Sequence, residues 1–246
     1  MTDQPPHTLT QTVKELPKDK GRKYIEEKKN LYHTKTRLWV FKEVRKWLEL
    51  EINEFQKKKV FWITGSAGTG KTVISAKLED VLDEGVVIAY HFCRYDLPKK
   101  NSSIQILLSL GKLISKNLNF EEPHVKEEDI NNNNIDIVFH EMLEKPLKKL
   151  RKSKPSPRKV IILDALDEIE SASLQEFLLV ITKYFPKLPD WVGIIITSRH
   201  ETNIADELES KVRLRVLYMD LSFLSHSISH VLSFLLHNYF FFSLIH

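Results

Sequence analysis

Lys59 to Leu82 reads KVFWITGSAGTGKTVISAKLEDVL, and three segments with different rules of spacing follow one another within it. Val60-Phe61-Trp62-Ile63-Thr64 is a short apolar run, the pattern of a strand covered on both faces in a parallel sheet. The next eight residues, Gly65-Ser66-Ala67-Gly68-Thr69-Gly70-Lys71-Thr72, match G-x-x-x-x-G-K-[ST] at every fixed position. Beyond Thr72 the apolar period changes, and Ile74, Leu78, Val81 and Leu82 fall on one helical face. A glycine-rich turn between a buried strand and a helix is the context that makes these eight residues a phosphate-binding loop.

The chemistry follows from backbone geometry. Gly65, Gly68 and Gly70 permit dihedrals closed to other residues, so successive N–H groups of the loop point inward at phosphate oxygens. The helix opening near Gly70 adds the positive end of its dipole. Lys71 reaches the β- and γ-phosphates as a point charge, and the Thr72 hydroxyl is a ligand for Mg²⁺.

A second informative stretch is Lys159 to Glu168, KVIILDALDE. Val160 to Leu163 reads as a buried strand, and Asp164 stands at its carboxyl end, where open α/β sheets bind ligands. From there it can hold Mg²⁺ through water on the side facing the loop. Asp167 and Glu168 follow within one turn, and either can orient or deprotonate a water attacking the γ-phosphate. The residues do not choose between them. Val192 to Thr197 is a further buried strand, closed by Ser198-Arg199-His200; Arg199 is placed to contact a γ-phosphate and to report its loss. His200 is read as incidental.

The remaining pattern surrounds this core. Val86 to Phe92 and Val212 to Leu217 read as strands. Helical spacing recurs from Ser102 (Ile106, Leu107, Leu110, Leu113, Ile114), over Phe139 to Leu150, and at Leu174, Phe177, Leu178 and Ile181. Strand and helix in alternation argue for a parallel α/β sheet. Upstream, Val40, Phe41, Val44, Trp47 and Leu48 form the stripe of an amphipathic helix ending before Lys57. It either packs beside the sheet or covers the adenine side of a nucleotide. Residues 1–35 are polar, with three prolines and a mixed-charge run at Lys18 to Asn30, and are expected to be a flexible lead-in that becomes helical late. Glu121 to Asn134 is expected to be a surface insertion without a packed core. The seven basic residues of Lys148 to Lys159 surround two prolines without interleaved aromatics, so a solvated connection is favoured over a nucleic-acid patch.

The 246 residues suffice for one good-sized core, and 42% hydrophobic with 28% charged residues is ordinary globular composition. A formal charge of +4 gives little support to nucleic-acid binding. Cys93 is the only cysteine, which excludes an internal disulfide, suits a reducing compartment and leaves Cys93 a packing role. The N-terminus has no basic start followed by an apolar run, so a cytoplasmic protein is expected. Beyond Asp220 no Asp, Glu, Lys or Arg occurs. Residues 221–246 are expected to be an atypical apolar tail, truncated or aberrant, rather than a membrane span, since serines and histidines crowd their first half.

The chain resembles the NACHT-type members of the signal-transduction NTPases (STAND), within the AAA-like P-loop class. TGSAGTGKT at Thr64 to Thr72, LDALDE at Leu163 to Glu168 with the small Ala165 after Asp164, and TSR at Thr197 to Arg199 carry the likeness. Trp39 to Leu48, WVFKEVRKWL, is similar to the first helix of nephrocystin-like NACHT proteins. The likeness spans residues 36–220 and implies a three-layer P-loop NTPase sandwich. Its sheet would be mainly parallel, five-stranded and ordered 5-1-4-3-2. It further implies Mg²⁺ with ATP or ADP, slow hydrolysis, self-association or protein partners through the core, and a nucleotide-dependent signalling or assembly switch. The Walker A residues would be 65–72, the Walker B acid Asp164, and the catalytic group Glu168, Asp167 and Arg199. Family members continue into a helical lid, a winged-helix domain and a repeat array, none of which is read here. The alternative is therefore a scaffold that holds nucleotide without useful turnover.

Overall fold

The computed structural model describes residues 18–34, 36–150 and 158–219. Five strands, β1 Val60–Thr64, β2 Val87–Phe92, β3 Lys159–Asp164, β4 Val192–Ser198 and β5 Leu214–Tyr218, form one sheet in the order β2-β3-β4-β1-β5. Read from the other edge, this is the expected 5-1-4-3-2. Every neighbouring pair is parallel, so the sheet is wholly rather than mainly parallel. β4 is the middle strand and β1 lies beside it, with Val60 to Thr64 opposite Ile194 to Ser198 of β4 on one side and Leu214 to Tyr218 of β5 on the other.

Burial of both faces explains why the strands read as continuous apolar runs. Trp62, Ile161, Leu163, Ile194 and Ile196 project into one core, shared with Ile106, Leu107 and Leu110 of α5 (Ser103–Asn117) and Leu174 and Phe177 of α9 (Ser171–Leu179). The alternate residues Phe61, Ile63, Val160, Ile162 and Ile195 enter the other core. There they meet Val40, Val44 and Trp47 of α2 (Leu38–Leu48), Phe55 of α3 (Ile52–Lys57), and Ile74 and Leu78 of α4 (Lys71–Val81). The single helix expected from residue 36 to Lys57 is thus two, parted at Glu49 to Glu51. The Trp47 indole closes the break by donating to the Lys58 carbonyl at 2.6 Å.

Gly193 is the glycine this packing requires. A Cβ there would sit 2.5 Å from Trp47 Cη2 and 2.8 Å from Phe55 Cζ. Its place in β4 opens room for two rings to lie directly on the strand.

The helix expected late in the N-terminal lead-in starts at Lys18. α1 (Lys18–Asn30) is an ordered helix docked along α4. Only Ile25 is buried as an apolar anchor. The attachment of the helix to α4 is otherwise ionic: Arg22 Nη1 donates to both Glu79 oxygens at 2.8 and 2.9 Å, and Lys29 Nζ to Glu79 and Asp80 at 2.7 Å each. Helix built on charge pairs leaves no apolar stripe in the sequence, so its docking onto α4 has no signal there. Glu121 to Asn134 likewise contains a short helix, α6 (Glu127–Asn131), with Val125 buried in the first core. The helical run over α7 (Ile135–Phe139) and α8 (Lys145–Lys149) includes a π-helical turn at His140–Glu144, and another follows α9 at Val180–Tyr184. Cys93 is buried, which pushes its thiol well above the ordinary range.

Among the described residues no helix is long and apolar enough to cross a membrane. The expected apolar tail at 221–246, residues 1–17 of the lead-in and residues 151–157 of the basic segment lie outside the described residues.

Candidate functional site

Parallel strands present all their carboxyl ends to one side, and the candidate residues leave from there. The loop Gly65 to Gly70 follows β1 and ends at Gly70, whose φ of 86° caps the N-terminus of α4. Gly68 has φ of 74°, so two of the three loop glycines occupy the left-handed region that a side chain disfavours. The Lys71 ammonium curls back over the loop and donates to the carbonyl oxygens of Gly65 at 2.5 Å and Ser66 at 2.9 Å. Thr69 Oγ1 closes the turn on Ser66 O at 2.9 Å.

Asp164 ends β3 and is 1% exposed. Its Oδ1 accepts from Ser75 Oγ and Thr197 Oγ1, both at 2.6 Å. Burial raises its pKa, against the lowering effect of Ser75, Thr197 and Thr72 in that order. Thr197 Oγ1 also accepts from the Ala165 amide at 2.9 Å, joining the ends of β3 and β4. Ala165 has φ of 57°, and this left-handed residue turns the chain into the 3₁₀ segment Leu166–Glu168 that carries both further acids.

The two acids differ in their surroundings. Asp167 accepts from the Arg199 amide at 2.9 Å and from Arg199 Nε at 2.7 Å, so both its oxygens are engaged. Arg199 also pairs with Glu201 at 3.3 Å. Glu168 has a longer bond, 3.3 Å from the Tyr95 amide. Its pKa is raised, chiefly by burial and then by the charges of Asp167, Asp164 and Asp96.

These groups share one cleft of about 650 Å³, lined by Gly68, Lys71 and Thr72 on the loop side and by Asp167, Glu168 and Arg199 on the other. Gly65 and Ser66 belong to the same loop, Ala67 also lines the cleft, and Asp164 lies beneath it, hydrogen-bonded to α4 through Ser75. The donor set around Asp164 suits Mg²⁺, since a carboxylate and the Thr72 hydroxyl are the hard oxygens this ion takes.

Sequence reasoning missed Ser75, Thr197 and Lys28. Ser75 lies three residues after Thr72 on the same face of α4, a spacing that could have marked it. Thr197 was read as the end of a strand and the start of the TSR stretch, not as a partner of Asp164. Lys28 of α1 lines the cleft and had no signal. His200 is more than incidental to packing: its ring stacks on Trp62 with centroids 5.2 Å apart and tilts against Tyr218 at 5.6 Å. The Trp62 indole in turn donates to Ser198 Oγ at 2.8 Å.

A family model described as Nephrocystin 3, N-terminal matches residues 35–199. No curated protein matches the chain. Among solved structures, Cdc6p from Pyrobaculum aerophilum is similar at 16% identity and a TM-score of 0.43, over 79% of this chain and 48% of that one. A Drosophila ORC structure bound to DNA is similar at 14% identity and a TM-score of 0.39, over 86% and 51%. A Drosophila ORC structure bound to GC-rich DNA and Cdc6 is similar at 10% and 0.43, over 89% and 36%. The chain thus spans between 36% and 51% of the length of these structures.

Proposed function

The chain belongs to the nephrocystin 3 N-terminal family, and from that membership and the geometry of the cleft we propose an ATP-binding, slowly hydrolysing NTPase module of NACHT type that acts as a nucleotide-dependent assembly switch. The observation that carries this reading is convergence: Ala67, Gly68, Gly70, Lys71 and Thr72 of the loop motif line a single cleft together with Asp167 and Glu168 of the acidic segment.

In this reading the loop amides and Lys71 cradle the phosphates of ATP or ADP. Thr72 and, through water, Asp164 would hold Mg²⁺, which when bound neutralises charge on the β- and γ-oxygens. Ser75 and Thr197 keep the Asp164 carboxyl oriented through their bonds to Oδ1. Glu168 is favoured over Asp167 as the acid that orients the attacking water, because Arg199 already takes both Asp167 oxygens. Its pKa is raised, chiefly by burial, which makes it a stronger proton acceptor than a solvated carboxylate. Asp167 then becomes the residue that positions Arg199 toward the γ-phosphate.

One observation favours a scaffold that holds nucleotide without turnover: Arg199 and Asp167 are committed to each other. Single-turnover hydrolysis separates the two readings. Glu168→Gln should retain ATP and lose about a hundredfold or more in rate, with Asp167→Asn losing less. Parent and Glu168→Gln chains that are equally inert would leave the scaffold reading; equal and measurable rates would remove Glu168 from the chemistry.

A further inference from the structure

We propose that α1 is part of the nucleotide site and that Lys28 contacts the phosphates, a cation that the loop motif does not contain. The inference rests on the nucleotide-binding reading and extends it to a residue upstream of residues 35–199, the part of the chain that the family model matches.

Three cations line the cleft, Lys28, Lys71 and Arg199. Lys71 is held by loop carbonyls, and Arg199 by Asp167 and Glu201. The Lys28 ammonium is different. Among the described residues it has no carboxylate partner, and its one described contact is the face of Tyr24, 5.0 Å from the ring centroid. A half-buried lysine held over a ring beside a phosphate loop is a cation positioned for an anion that the protein itself does not supply.

Its position is built. Tyr24 packs edge-on against Phe92 at the end of β2, with centroids 6.1 Å apart, and Arg94 lies 4.7 Å from the Tyr24 ring. The next residue after Lys28, Lys29, is 8% exposed and bonded to Glu79 and Asp80, and Arg22 is bonded to Glu79. Both acids stand on α4, the helix that opens at Lys71. The ionic clamp therefore ties α1 to the helix of the phosphate loop, and Lys28, between the clamp and the ring, is carried at a fixed place on the rim. A nucleotide polyphosphate carries several charges that loop amides and one lysine only partly offset, which gives a second lysine its use.

The test is equilibrium titration of the full chain with Mg-ATP and Mg-ADP, for the parent, Lys28→Ala, Lys28→Arg, Lys71→Ala and Lys23→Ala, the last an exposed lysine of the same helix. The expected result is about tenfold weaker binding for Lys28→Ala, near-parent binding for Lys28→Arg and Lys23→Ala, and an unchanged melting temperature throughout. If the parent and Lys71→Ala differ while Lys28→Ala binds like the parent, this inference falls and the nucleotide site stands. A loss in Lys28→Ala that tracks a lowered melting temperature and is not restored by arginine, or an equal loss in Lys23→Ala, also overturns it. A parent chain that binds neither nucleotide overturns both readings.

Discussion

At Asp164 a carboxylate is buried beneath the cleft, and hydroxyl groups compensate it. Thr197 serves it twice, donating to Oδ1 and accepting from the next amide. Thr197→Val keeps the shape of the side chain but leaves the Ala165 amide without its acceptor and Asp164 Oδ1 with Ser75 alone, so stability should fall by about 1 to 3 kcal/mol in urea denaturation; an unchanged midpoint would mean that neither bond matters. His91 offers a pH-dependent counterpart. Burial pushes its pKa from 6.5 down to about 4, with Nδ1 2.9 Å from Ser109 Oγ. Between those values the unfolded chain takes up a proton that the folded chain refuses, so stability is full above about 6.5 and is lost as pH falls toward about 4. Asp164 and Glu168, with raised values, act in the opposite sense, and a His91→Phe chain isolates the histidine. Its melting temperature should drop less between pH 7 and pH 5 than the parent's; parallel profiles would refute the assignment. Asp164 was legible from its place after a buried strand, but its hydroxyl partners come from a helix and a strand distant in sequence and only packing brings them together.

The strands were the most legible elements, because burial on both faces removes the polar alternation that would blur them. Val60 to Thr64, Val160 to Leu163 and Val192 to Thr197 all lie within observed strands. β4 also hides a constraint invisible to periodicity. Gly193→Ala would drive a methyl group into Trp47 and Phe55. It should cost about 1 to 3 kcal/mol through displaced rings, and a thermal melt at the parent value would show that α2 and α3 yield freely. The docking of α1 was illegible for the opposite reason. Its sequence, KDKGRKYIEEKKN, has one buried apolar residue and reads as solvated, yet its charges find partners on α4. The π turns at 140–144 and 180–184 left no trace that helical spacing could detect.

For the molecule as a whole, the residues gave a parallel α/β sheet, whereas the strand order came from the family likeness; both agree with the order found. That order puts β4 in the middle and β1 between β4 and β5, and places β3 on the far side of β4. Everything proposed for the cleft depends on this arrangement gripping phosphate. The most direct measurement is the Mg-ATP dissociation constant of the parent against Lys71→Ala, each at a temperature where its melt confirms a folded chain. One charge-assisted phosphate contact is worth about 1.5 to 3 kcal/mol, so the variant should bind about ten- to a hundredfold more weakly. Equal affinities in two folded chains would contradict the assignment of Gly65 to Thr72 as a phosphate-binding loop.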